Sequence, residues 1–138
     1  MKTLKLLLVA IMITGLHASC SSQNNGDRNT NEASVSQDEV TVYYAHFKRR
    51  CVTCNTVEKV SKEAVAELYD GAVSFRAINL DEDEGKKEGE KVGISGQCLL
   101  VVKGDTKIDL TAEGFMNAVT KPGELKKILQ KNIDPLIR

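Results

Sequence analysis

The chain has 138 residues and no Trp, and its three Tyr and three Phe make up only 4%. Aromatic platforms for stacking bases or sugars are therefore scarce. Charge offers no other route to nucleic acid. Lys and Arg number 19 and so do Asp and Glu, giving a formal net charge of zero, without the basic excess that neutralises phosphates. The apolar run near the start, LLLVAIMITGL from Leu6 to Leu16, falls short of the roughly 17–25 residues of a membrane-spanning helix. What is present is 41% hydrophobic residues, enough at this length for one domain with its own core.

The first residues read as a targeting segment. Lys2 and Lys5 precede the apolar run, and the small residues Ala18 and Ser19 follow it, which is the layout of a secretory signal over 1–19. Once Lys2 and Lys5 are removed, acidic residues outnumber basic ones. The junction HASCSSQNNG resembles the lipobox of bacterial lipoproteins, although His17 stands where that family usually has Leu. The resemblance implies lipidation at Cys20 and attachment to the membrane through a lipid anchor, with several acyl chains giving stable binding. With Ser21 next, it also implies a lipid-anchored protein of the cell envelope, on the outer membrane and facing the periplasm. The alternative is an ordinary cleaved signal beside an unrelated cysteine. Residues 20–37, rich in Ser, Asn and Gln, have almost nothing to bury and read as a disordered tether. A flexible chain of that length reaches roughly 20–25 Å. The folded domain is expected over 38–138.

Within that domain the hydrophobic period changes several times. VTVYYAHF, Val40 to Phe47, is rich in β-branched and aromatic residues and predicts a strand. From Cys54 onward, Val57, Val60, Ala64 and Leu68 recur at helical spacing, with Gly71 as a C-terminal cap. AVSFRAINL, Ala72 to Leu80, predicts a second strand, parallel to the first across a right-handed crossover. The charged stretch Asp81 to Gly93 predicts a short solvated helix, without the ligand spacing of a calcium loop. Cys98 to Val102 and Lys107 to Leu110 predict an antiparallel pair, and Pro122 opens a last helix with Leu125, Ile128, Leu129 and Ile133 on its apolar face. The pattern does not assign Ala112 to Val119. The fold class is α/β, with a mixed sheet of about four strands built from a βαβ half and a ββα half.

The chemistry concentrates in HFKRRCVTCNTVEK, His46 to Lys59. Cys51 and Cys54 lie two residues apart, between the first strand and the following helix. A thiolate is the nucleophile of disulfide exchange, and a helix N-terminus and nearby cations favour it. Cys51 would attack a substrate disulfide and Cys54, one turn inward, would resolve the mixed disulfide. A purely structural disulfide is the poorer explanation, since closing so short a loop stabilises by only about 2 kcal/mol. Lys48, Arg49 and Arg50 either tune the pair or are merely solvated.

This order of elements, with Cys51-Val52-Thr53-Cys54 at the strand-to-helix junction and Ile78-Asn79-Leu80-Asp81 at the next strand end, resembles the thioredoxin-like superfamily over about Val40 to Ile133. The resemblance implies Cys51 and Cys54 as the catalytic pair. Protein thiols or disulfides would be the substrate, an upstream electron donor or acceptor the partner, and no bound cofactor is implied. Several departures stand out. Arg50 replaces an aromatic residue, and Val52-Thr53 replaces Gly-Pro. The family's buried Asp, six residues before the first cysteine, aligns with Ala45 and its Lys partner with Ala77. His46 is then an auxiliary candidate as a base. The only prolines are Pro122 and Pro135, so the family's cis-proline is absent and Cys98 aligns at or beside its place. Cys98 is either a small buried hydrophobe or an auxiliary thiol.

The leading expectation is a membrane-tethered thiol–disulfide oxidoreductase. One alternative is a copper or zinc module with Cys51, Cys54 and Cys98 as soft ligands. Another is a non-catalytic thioredoxin-like adaptor.

Overall fold

The computed structural model describes residues 38–138. The expected signal segment, Cys20 and the expected tether lie outside these residues. Among them, eight elements follow in order: β1 Val40–His46, α1 Val52–Tyr69, β2 Val73–Asn79, α2 Asp83–Val92, β3 Cys98–Lys103, β4 Thr106–Asp109, α3 Thr111–Asn117 and α4 Pro122–Ile133.

The four strands form one mixed sheet in the order β2-β1-β3-β4. β1 runs parallel to β2, antiparallel to β3, and β3 runs antiparallel to β4. This is an α/β fold in a thioredoxin-like arrangement, as the alternation of periods predicted. The unassigned stretch after β4 is helical: Gly114 packs so closely that an added Cβ would stand 3.1 Å from Leu99 and 3.2 Å from Val57.

Because successive strand residues point to opposite faces, the sheet separates two apolar layers. Val40, Val42 and Tyr44 of β1 and Leu99 and Val101 of β3 meet α1, α3 and α4 on one face. Tyr43 and Ala45, with Leu100 and Val102, meet Ile78, Leu80, Val92 and Ile94 on the other. In α4, Leu125, Leu129 and Ile133 are fully buried, each worth about 1.5–3 kcal/mol of burial.

Three local expectations are corrected. Leu68 is 40% exposed, and Val65 and Tyr69 take the buried positions instead. The left-handed residue that ends α1 is Asp70 (φ 40°), immediately before Gly71 (φ 89°). The charged helix α2 is not wholly solvated, since Gly85, Gly89 and Val92 form a buried stripe. Glycine is required at position 85, where an added Cβ would stand 2.0 Å from the carbonyl oxygen of Asn79.

The candidate redox site at the start of α1

Two hydrogen bonds fix the loop between β1 and α1 against the end of β2. Leu80 N–H donates to the His46 carbonyl at 2.8 Å, and Lys48 N–H donates to Asp81 Oδ2 at 2.7 Å. The loop delivers Cys51 to the N-cap of α1 in an extended conformation (φ −88°, ψ 170°). From there its Sγ accepts a hydrogen bond from the Cys54 backbone N–H at 3.2 Å. A helix leaves its first N–H groups without partners, and the Cys51 sulfur takes one of them in the manner of a capping oxygen. No acidic residue occupies the first turn of α1. Cys51 is exposed, Cys54 is buried, and neither forms a disulfide here.

The buried cysteine sits on a polar network. Tyr44, fully buried, donates its hydroxyl proton to the Cys54 carbonyl at 2.9 Å. Gln97 Nε2 donates to the Tyr44 hydroxyl oxygen at 3.2 Å. Hydrogen bonding with the Cys51 side chain lowers the pKa of Cys54. Burial opposes this, and the Gln97 side chain and the backbone N–H groups of Cys51 and Cys54 reinforce it. Burial raises the pKa of the Tyr44 phenol above its usual range.

The basic run is divided. Lys48 and Arg49 are exposed. Arg50 is committed: it pairs with Glu58 on α1 and lies over the Tyr44 ring, 5.7 Å from the centroid. His46 stacks against Tyr44 with ring centroids 6.0 Å apart, and its Nδ1 donates to the Phe47 carbonyl at 3.1 Å. His46 and Arg50 therefore reach the site through Tyr44.

Cys98 belongs to the opposite face. It pairs with Ala45 across β1 and β3 and packs against the α2-side layer, where burial raises its pKa. The reason is parity. Leu99 points toward α1, so Cys98 points away, and Gln97 shares the face of Leu99. Among the described residues no group of three or more His, Cys, Asp or Glu side chains is placed to hold a metal ion. The three-thiolate site of Cys51, Cys54 and Cys98 is thus not assembled.

The same parity corrects the reading of β1. Ala45 aligned with the family's buried Asp, yet Ala45 lies in the α2-side layer, and Tyr44 is the residue beneath the cysteines. Tyr44, Gln97 and Glu58 were not among the candidate residues. Strand alternation from Val42 and Leu99 would have selected the first two.

Neither a comparison with protein-family models nor one with curated proteins finds a match. The geometry therefore carries the functional reading: an accessible and a buried cysteine, one turn apart at the head of a helix in a small α/β fold, are compatible with redox chemistry.

Proposed function

We propose that this protein is a thiol–disulfide oxidoreductase of the cell envelope, tethered to the membrane by lipid on Cys20. Cys51 attacks and Cys54 resolves. One observation supports this reading above the rest: the Cys51 sulfur is exposed at the N-cap of α1 while Cys54 is buried one turn behind it. An external disulfide meets Cys51 first, and the mixed disulfide it forms is presented to Cys54.

The steps balance. The Cys51 thiolate attacks one sulfur of a substrate disulfide, forming a protein–substrate disulfide and releasing one substrate thiolate. The Cys54 thiolate then attacks Cys51 Sγ, forming the Cys51–Cys54 disulfide and releasing the second. The protein dithiol loses two electrons and the substrate gains them, and the two substrate thiolates take up the protons the protein gave up. The reverse sequence oxidises a substrate dithiol. Protein thiols or disulfides are the substrates, and a separate electron donor or acceptor closes the cycle.

The test is thiol trapping of the full-length chain after equilibration in dithiol buffers of defined potential. The expected result is one reversible two-electron couple, lost in Cys51→Ser and in Cys54→Ser and kept in Cys98→Ser. A pair that stays reduced or oxidised across the whole range of potentials would rule out the function. Tethering is read separately, by incorporation of labelled fatty acid that disappears in Cys20→Ser.

A further inference from the structure

We propose that Arg50 is a positioning residue for the attacking cysteine: paired with Glu58 and laid over the Tyr44 ring, it anchors the residue before Cys51 and so holds Cys51 Sγ at the head of α1. The proposal rests on the dithiol–disulfide reading above and adds what keeps the first sulfur within reach of the second.

The anchoring contacts join the loop to both the helix and the sheet. Lys48 N–H is tied to Asp81, and two residues later the Arg50 side chain leaves the loop for the body of the domain. Its guanidinium pairs with Glu58, two turns into α1 and on the side of the helix that Cys51 heads. Its central carbon lies 5.7 Å from the centroid of the Tyr44 ring, inside the roughly 6 Å range of a cation–π contact. Both members of the ion pair are largely withdrawn from water, with side chains 22% and 25% exposed. Tyr44 is fully buried, is stacked on by His46, and donates its hydroxyl proton to the Cys54 carbonyl at 2.9 Å. The contacts therefore close a ring. Arg50 joins Cys51 to Tyr44, Tyr44 holds Cys54, and the Cys54 N–H donates back to Cys51 Sγ at 3.2 Å.

The second step of exchange explains why this matters. The first step is a meeting between an exposed sulfur and a free disulfide, and it tolerates movement of Cys51. The second is intramolecular. Cys54, buried on α1, must attack Cys51 Sγ while the substrate hangs from that sulfur, and such a step depends steeply on how the two atoms are held. Neither Val52 nor Thr53 restricts the backbone as a proline would. A planar guanidinium can pair through its edge and cover a ring with its face, so Arg50 supplies that restraint from outside the motif. Because Glu58 neutralises it, its contribution is geometric rather than a free positive charge beside the thiolate.

The experiment uses the full-length chain carrying Cys20→Ser and Cys98→Ser, with 5,5′-dithiobis(2-nitrobenzoate) as the probe disulfide. Attack by Cys51 forms a Cys51–probe disulfide and releases one coloured thiolate. Attack by Cys54 on Cys51 Sγ forms the Cys51–Cys54 disulfide and releases the second, so the steps appear as two phases. Each phase is followed against pH up to its plateau, where the attacking thiol is fully ionised and the rate reports geometry alone. In Arg50→Gln the plateau of the second phase is expected to fall about tenfold and that of the first to stay within about twofold. Glu58→Ala should do the same. It places a good helix former at a half-buried helical site, and it decides the matter if Arg50→Gln fails to fold. Arg49→Gln, which removes an exposed charge one residue away, should leave the second plateau in place.

An unchanged second plateau would overturn the proposal while leaving the oxidoreductase reading intact. In that case a pH midpoint moved up in Arg50→Gln and down in Glu58→Ala would assign Arg50 a charge effect instead. Equal slowing of both phases would make the ion pair merely structural and overturn the proposal too. A parent protein with no second phase would overturn both readings.

Discussion

Tyr43 and Tyr44 are adjacent, both fully buried, and predicted to respond oppositely to the same change. Replacing either with Phe keeps the ring and removes one hydroxyl, so apolar burial is nearly constant. The Tyr44 hydroxyl makes two hydrogen bonds, to the Cys54 carbonyl and from Gln97. Its removal leaves the buried Cys54 carbonyl and the half-buried Gln97 amide each short of a partner. Such losses cost about 1–3 kcal/mol. For a domain of about 100 residues, 1 kcal/mol moves Tm by roughly 4–8 °C, so a cost of about 2 kcal/mol lowers Tm by roughly 8–16 °C. The Tyr43 hydroxyl, on the opposite face, has no hydrogen-bond partner among the described residues. Folding strips its water without replacement, and Tyr43→Phe removes that penalty. Its Tm should be unchanged or raised. Thermal unfolding followed by circular dichroism on the reduced protein decides the matter. Equal losses in the two variants, or the larger loss in Tyr43→Phe, would refute the assignment of the network to Tyr44.

Gly85→Ala should cost about 3 kcal/mol or more in denaturant unfolding, because the new methyl meets the Asn79 backbone at 2.0 Å rather than a side chain that can turn aside. The reduced protein should gain stability as pH rises from the lowered folded pKa of Cys54 toward the ordinary thiol value of 9.0. In that window the unfolded chain binds more protons than the folded one, and Cys54→Ser should flatten the slope. Tyr69 works with the opposite sign. Burial first, and then its hydrogen bond to Asp134 (2.9 Å), raise its pKa from 10.0. The stability it contributes is complete below pH 10 and is lost as pH rises further, and in Tyr69→Phe this alkaline loss should disappear from the pH–stability curve.

Much of this architecture is legible in residue periods. Val40 to Phe47 and Cys98 to Val102 announce strands, and Leu125, Leu129 and Ile133 announce α4, because long elements with one buried face leave a regular imprint. The start of α1 is legible for the same reason: the strand pattern stops at Phe47 and a helical one is under way by Val57. What could not be read are features in which one residue of parity or one turn of phase decides. Aligning on Cys51 by counting back six residues lands on Ala45, yet the sheet face is set by Val42 and Tyr44 together. Cys98 attracted notice as a thiol, although its neighbour Gln97 is the residue that shares the face of Leu99. Arg50 looked free in sequence because Glu58 lies two helical turns into α1, beyond the reach of local charge patterning.

The supporting residues also bear on which way such a pair leans. Access and charge stabilisation fall on different sulfurs here. Only Cys51 is exposed, while the hydrogen bonds that lower a thiol pKa fall on Cys54. A buried carboxylate under the pair would be a base for Cys54, but its charge would repel a thiolate and carry the desolvation cost of a buried ion. Tyr44 and Gln97 are neutral, the Tyr44 hydroxyl donating to the Cys54 carbonyl and accepting from Gln97, and Arg50 is paired with Glu58. A thiolate exists only in the reduced pair, so whatever stabilises it favours reduction of the protein. In the proposed oxidoreductase, the hydrogen bonds that lower the Cys54 pKa would therefore favour the reduced pair. Val52, exposed, and Thr53, half-buried, stand where a Gly-Pro would stiffen the backbone between the two cysteines.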